Sequence, residues 1–184
     1  MRKLKLQVQI SIGGFIAGPN GEMDWMSWNW GEDIGAYVTA LTEPVDTIVL
    51  GRKLADGFIP YWDTAAKGTE PVPSADKMSS TAKVVFTHTL SEHKWPNTTL
   101  AHNLVEDINK LKAAEGGDII AYGGANFVSN LIKEGLIDEF FLFVNPAAIG
   151  KGLPIFSELT ALHPLKLAEA KAFDCGITLL HYTK

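Results

Sequence analysis

The sequence holds a single cysteine, Cys175, so an intrachain disulfide and a cysteine-based zinc site are both excluded. That pattern fits a reducing compartment, and cytoplasm is the expectation. Long apolar runs are also missing. The longest clearly apolar stretch, Phe140 to Val144, is far below the ~20 residues that span a bilayer, and Met1 to Gln9 alternates polar with apolar residues, unlike a signal peptide. Positive charge is in deficit, with 16 Lys and Arg against 21 Asp and Glu and a formal net charge of -5. This balance argues against nucleic acid or a membrane surface as partner and leaves room for a local basic pocket that takes a phosphorylated small molecule. Internal repeats and low-complexity tracts are absent. Asn97-Thr98-Thr99 spells a glycosylation acceptor, which carries no weight in a chain without a secretion signal.

What is present is the composition of one globular domain: 184 residues, 46% hydrophobic and 20% charged. Leu4, Leu6, Val8, Ile10 and Ile12 alternate with Lys5, Gln7, Gln9 and Ser11, which predicts a strand with one buried face. Ile34, Tyr37, Val38 and Leu41 recur at helical spacing before Pro44. Thr47 to Leu50, Lys83 to Thr87 and Asp118 to Tyr122 read as short buried strands, and Glu139 to Val144 as another. Asn103, with Glu106 three residues on, predicts the capped start of a helix carrying Leu104, Ile108 and Leu111, stopped by Gly116-Gly117. A further helix carries Phe127, Val128, Leu131 and Ile132 and ends at Gly135. Leu165 to Phe173 and Gly176 to Thr183 form a hairpin, and Ala65 to Ser80 is expected to be a mobile loop. Strands alternating with helices give an α/β class, with a mainly parallel sheet and an antiparallel C-terminal hairpin.

Three segments carry candidate chemistry. Ile119 to Phe127 turns a buried strand through Gly123-Gly124 into a helix beginning at Ala125 and Asn126. Glycines permit close backbone approach, and the helix start offers unpaired N–H groups and partial positive charge suited to a pyrophosphate. The same glycines also serve a tight strand-to-helix turn, and the spacing alone does not choose between the two. The six-residue Rossmann fingerprint is missing. Leu50-Gly51-Arg52-Lys53 places two cations past the carboxyl end of a strand, where α/β sheets bind ligands, and Thr87-His88-Thr89 ends another such strand. Gly13 to Trp25 is a Gly-rich loop leading to Asp24 beside an aromatic ring. A carboxyl group against apolar rings can act as a proton donor, and Trp25, Trp28, Phe58 and Trp62 can stack on a planar heterocycle. Core packing is the competing role for these rings, turn capping the competing role for Asp24, and Glu32 and Asp33 are rival acids.

Ser11-Ile12-Gly13-Gly14-Phe15-Ile16-Ala17-Gly18, Leu50-Gly51-Arg52-Lys53 and Tyr122-Gly123-Gly124-Ala125 occur in the order seen in the dihydrofolate-reductase-like superfamily. Gly57 to Trp62, Leu136 to Glu139 and Pro146 to Phe156 extend the match. From about Leu4 onward the chain resembles the branch that includes the reductase domain of the bifunctional riboflavin-biosynthesis deaminase-reductase. The resemblance implies NADPH as hydride donor, with Gly51, Arg52 and Lys53 around the adenosine phosphate and Thr87 and His88 nearby. It places Gly123, Gly124, Ala125 and Asn126 on the pyrophosphate, and Ile16 and Ala17 at the nicotinamide. It implies a pyrimidine- or pterin-like substrate and a homodimer joined through Phe140 to Val144 and the Gly150 to Pro154 loop. One departure stands out: the related proteins usually carry an acid where this chain has Gly13. An NADP-binding module with little turnover is therefore the alternative reading. Trp30 falls where true dihydrofolate reductases carry their acid.

Overall fold

The computed structural model describes residues 1–70 and 72–184. The chain runs β1 (Leu4–Ile10), β2 (Phe15–Ala17), α1 (Glu32–Thr42), β3 (Val45–Gly51), α2 (Arg52–Lys67), α3 (Ala75–Ser80), β4 (Ala82–Phe86), β5 (Thr98–Ala101), α4 (Leu104–Ala113) and β6 (Asp118–Ala121). It continues with α5 (Ala125–Lys133), β7 (Glu139–Val144), β8 (Leu153–Pro154), β9 (Lys166–Ala172) and β10 (Thr178–Thr183). An eight-stranded sheet has the order β5-β4-β3-β6-β1-β7-β10-β9, and β2 pairs with β8 in a small second sheet. β1 lies parallel to β6 and β7, β3 to β4 and β6, and β4 to β5. β10 is antiparallel to both β7 and β9, which makes the sheet mainly parallel with the expected C-terminal hairpin.

Alternation along each strand divides the core into two sides. Leu4, Leu6, Val8 and Ile10 face α4 and α5, packing with Ile108, Val128, Leu131 and Ile132. On the opposite side α1 sets Ile34, Val38 and Leu41 on Phe141, Phe143 and Leu179. There α2 sets Ala55 and Ile59 on Ile48, Leu50 and Ile120. β1 was expected to bury one face, yet Lys5 and Gln7 are buried as well. The cause is α1: the Lys5 ammonium lies 3.5 Å from the carbonyl of Leu41 near that helix's end and 2.7 Å from the Asp118 carboxylate. β1 also ends at Ile10, because Ser11 to Gly14 turns, with Gly14 at φ +79 and its N–H bonded to the Ser11 carbonyl at 2.9 Å.

Other expectations are corrected. Ala65 to Ser80 is not a continuous loop: α2 extends to Lys67, and α3 forms where Ala75 and Met78 are buried against the α2 side; position 71 lies outside the described residues. Asn103 holds the N-cap position of α4 without a side-chain capping bond. Asp107 caps instead, accepting the N–H groups of His102 at 3.2 Å and Asn103 at 3.0 Å, while Glu106 pairs with Lys110. Phe140 to Val144 is an interior strand between β1 and β10, with Phe140, Phe141, Leu142 and Phe143 buried within the chain, so both of its backbone edges are already paired.

Lys83 is 1% exposed on β4 and donates to the carbonyls of Ser79 at 2.7 Å and Thr81 at 2.6 Å, closing the end of α3. Burial lowers its pKa from the ordinary 10.5, opposed by the charge of Asp63. The buried ammonium therefore costs stability below its folded pKa, and that cost fades as pH rises toward 10.5, where the unfolded chain still holds the proton. Lys83→Met is expected to abolish this alkaline gain in stability. Chemical denaturation at neutral and alkaline pH checks it; an unchanged slope would show that another group titrates.

Candidate functional site

Three neighbouring parallel strands, β4, β3 and β6, end at one edge of the sheet, and two helices begin there. β3 passes directly into α2 at Gly51-Arg52, and β6 passes into α5 through Tyr122-Gly123-Gly124. Neither helix has a side-chain cap, and neither carries an acid in its first turn. Each thus presents unpaired N–H groups and the positive end of its dipole at the strand edge. Close packing holds these starts together: a Cβ at Gly51 would lie 2.9 Å from the Phe127 Cβ, which leaves no room for a side chain between β3 and α5. Gly124 has φ +90 with open space in front of it, a backbone that L residues rarely adopt. Two adjacent uncapped helix starts and a glycine facing free space fit the pyrophosphate of a dinucleotide.

Around this centre, Ile16 is buried and its Cδ1 would lie 3.0 Å from a Cβ at Gly123, so β2 closes over the end of β6. Ala17 is buried and pairs with Leu153. Arg52 is half-buried at the first position of α2, its Nη1 3.2 Å from Asp56 Oδ2, while Lys53 is exposed. Ala125 begins α5, and the exposed Asn126 accepts hydrogen bonds from Asn130 through both its carbonyl and its side chain. Thr87 is buried, and its hydroxyl oxygen accepts the N–H groups of Thr89 at 3.2 Å and Leu90 at 3.1 Å. It therefore shapes the turn that presents the exposed His88. Sequence reasoning missed Asp56 and read Phe127 only as part of a helix's apolar face; the role of each is legible only once α2 and the contact of α5 with β3 are known. It also missed His102, whose Nδ1 lies 2.8 Å from the Thr87 carbonyl.

The expected aromatic substrate group divides. Phe58 and Trp62 pack on the α2 side with Tyr122, the Phe58 ring 5.3 Å from Tyr122 and 6.1 Å from Trp62. Trp25 sits on the loop after β2, its indole donating to the Glu22 carbonyl at 3.2 Å, and belongs to no core cluster. Asp24 is exposed, which corrects the expectation of a carboxyl sheltered by rings; among the described residues it makes no side-chain hydrogen bond. Asp33 accepts the N–H groups of Asp174 at 2.9 Å and Ile34 at 2.7 Å. The Asp174 bond foremost holds its pKa below the ordinary carboxylate value, so Asp33 anchors α1 and is a poor proton donor. A Cβ at Gly13 would lie 3.0 Å from the Phe15 ring, so an acid there would require that ring to move.

Asn145, fully buried after β7, ties the Asp24-bearing loop to the sheet. Its Oδ1 accepts the Ser27 N–H at 2.8 Å, and its Nδ2 donates to Gln9 Oε1 at 2.6 Å and to the Phe143 carbonyl at 3.3 Å. Asn145→Leu keeps the volume but strands these partners, and a loss of about 1–3 kcal/mol is expected. Denaturant titration reads the loss, and limited proteolysis should then cut within residues 18–31. An uncut, equally stable variant would show that the loop is held by other contacts.

Comparison with known proteins agrees with this architecture. Residues 2–179 match the family model of the RibD C-terminal domain. Protein YyaP of Bacillus subtilis (strain 168) is 33% identical over 184 residues, covering 98% of this chain and 94% of that protein. Among solved structures, a putative riboflavin biosynthesis protein from Shewanella sp. PV-4 superposes with a TM-score of 0.74 at 24% identity, covering 100% of this chain and 98% of that one. The diaminohydroxyphosphoribosylaminopyrimidine deaminase/5-amino-6-(5-phosphoribosylamino)uracil reductase of Thermotoga maritima superposes with a TM-score of 0.72 at 18% identity, covering 99% of this chain and 56% of that longer one. Among the described residues no group of three or more His, Cys, Asp or Glu is placed to hold a metal ion, and no helix is long and apolar enough to cross a membrane. With a pyrimidine-reductase-like fold, and with the family's domain model matched over nearly its whole length, the chain belongs to the RibD C-terminal domain family.

Proposed function

We propose that the protein is an NADPH-dependent reductase of a planar heterocycle of the pyrimidine or pterin type. The observation that carries this reading is the pair of adjacent uncapped helix starts, with Arg52 at the first position of α2. When bound, the nicotinamide supplies the hydride. The N–H groups at Gly124, Ala125 and Asn126 bind the pyrophosphate, Arg52 and Lys53 meet the adenosine phosphate, and Ile16 and Ala17 border the nicotinamide and exclude water from it. Asp24 holds the proton for the reduced heterocycle, with Glu32 as the remaining rival acid, since Asp33 is committed to backbone bonds.

Titration calorimetry with NADPH, followed by an NADPH-oxidation assay over a panel of pyrimidines and pterins, tests the reading. Tight binding together with turnover on one of them is the expected result; failure to bind NADPH sinks it. A second reading, an NADP-binding module with little turnover, is favoured by Gly13 and the solvent-exposed Asp24. Tight binding without oxidation of cofactor by any substrate would establish it.

A further inference from the structure

The strands β6, β1 and β7 are parallel neighbours, so their carboxyl ends open on the same edge of the sheet. Ligands of open α/β sheets bind outside such ends. β6 leads into the groups assigned to the pyrophosphate, and Ile16, assigned to the nicotinamide, closes over its end. The ends of β1 and β7 lie next along the same edge.

What stands there is apolar side chain held out to solvent. Ile12, just past β1, is 66% exposed, and Trp28 is 64% exposed. Both are tethered to the residues that follow β7: the Ile12 N–H donates to the Ala147 carbonyl at 2.9 Å, and the Ser27 N–H, beside Trp28, donates to Asn145 Oδ1 at 2.8 Å. Asn145 in turn donates its own N–H to the Ile10 carbonyl at 2.8 Å, which joins the two strand ends. Trp28 is also backed by a ring. It stacks on Trp30 with centroids 6.4 Å apart and 26° between the planes, while Trp30 packs on the core beneath α1 and donates its indole N–H to the Ser27 carbonyl at 3.0 Å. A lone exposed apolar residue is ordinary. Two of them, fixed to one segment at a ligand-binding edge, form a surface for a ligand.

Charge points the same way. From Leu6 to Gly51 the chain has no Lys or Arg, and the segment between β2 and α1 carries Glu22 and Asp24. Arg2, Lys3 and Lys5, at the other end of β1, are paired with Asp46, Glu139 and Asp118. Between Asn145 and Leu165 the one cation is the exposed Lys151. A phosphate carried by the substrate would therefore meet apolar side chains and carboxylates here, in contrast to the Arg52 and Lys53 that await the adenosine phosphate.

We infer that Trp28 and Ile12 bind the substrate of the proposed reductase, Trp28 stacking on the planar heterocycle and Ile12 meeting an uncharged substituent, so that the substrate is a heterocycle without a phosphate arm; this substrate class rests on the reductase reading of the same edge.

Titration calorimetry on the protein saturated with NADP⁺, so that no hydride transfers, reads substrate binding directly. The probes are uracil, uridine and uridine monophosphate, and biopterin, neopterin and neopterin phosphate. In at least one series the phosphate-free members should bind, and the phosphate ester should bind more weakly than its parent. Trp28→Ala should weaken binding by roughly 5- to 150-fold, the usual worth of stacking a base on an aromatic ring, with NADP⁺ affinity and circular dichroism as in the wild type. Trp28→Phe should recover most of the loss. Ile12→Arg should turn the preference toward the phosphate ester, and Lys151→Ala should leave every constant as in the wild type. A phosphate ester that binds wild type more tightly than its parent, no binding by any phosphate-free member, or a Lys151→Ala variant that loses the ligand overturns the substrate class while NADP⁺ binding leaves the reductase reading in place. So do wild-type constants in Trp28→Ala, which would leave that ring to a protein contact. Failure to bind either form of the cofactor sinks the reductase reading, and the substrate class with it.

Discussion

Asp24→Asn is expected to lower turnover by ~10²–10⁴-fold, the usual contribution of a general acid, while leaving NADPH affinity unchanged. The separation follows from position. Asp24 lies on the loop between β2 and α1, whereas the groups assigned to the cofactor phosphates lie at the starts of α2 and α5. It is exposed on that loop, apart from the groups assigned to the cofactor phosphates, so the loss should appear in kcat rather than in cofactor binding. Steady-state kinetics across pH, paired with calorimetric NADPH titrations, measures both. Wild-type turnover at every pH would remove Asp24 from the chemistry and leave Glu32 as the next acid, because the Asp33 carboxylate is already held by two backbone N–H groups.

The elements legible in the sequence are those whose pattern has a single physical cause. β3, β6 and β7 are short apolar runs because helices cover both faces of a parallel sheet, and α5 shows its apolar side as Val128, Leu131 and Ile132. The hairpin turn at Asp174-Cys175-Gly176 is legible because Gly176 takes φ +87. α2 was not. Gly57 and Pro60 suppress its helical propensity, and tertiary packing of Ala55 and Ile59 decides the matter. Missing α2 hid the Arg52–Asp56 pair, which depends on helical spacing. β5 and β8, four and two residues long, carry too little pattern to be read.

The candidate site was legible as a set of residue types at strand ends, and less so as a division of labour. Gly51 and Gly124 look alike in the sequence, yet Gly51 is required by the approach of Phe127 and Gly124 by its backbone angle beside open space. Thr87 reads as a ligand-binding hydroxyl, and its oxygen also braces its own turn. Phe58 and Trp62 read as a stacking surface and lie partly buried at the margin of the core, Phe58 against Tyr122 and Trp62 against Phe58. In each case the deciding contact comes from a residue distant in the chain or from local backbone geometry, neither of which periodicity encodes.

Arg52→Ala is expected to weaken NADPH binding by roughly 10- to 150-fold, the equivalent of ~1.5–3 kcal/mol for a hydrogen bond to a charged group. NADPH differs from NADH by the 2′-phosphate, which a guanidinium meets with charge-assisted bonds, so NADH affinity should stay near that of wild type. Arg52 pairs with Asp56 at 3.2 Å, and the two side chains are 40% and 51% exposed. An exposed pair four residues apart on a helix is worth only about 0.3–0.5 kcal/mol, so it orients the guanidinium without outbidding a phosphate. Asp56→Asn should accordingly raise NADPH affinity by roughly twofold, the same energy expressed as a ratio. Lys53, exposed on the next position, supplies residual charge, and added salt should shrink the wild-type preference for NADPH. Dissociation constants for both cofactors in wild type, Arg52→Ala and Asp56→Asn decide the matter. Equal losses of NADPH and NADH in Arg52→Ala would mean that Arg52 supports the start of α2 and does not read the phosphate.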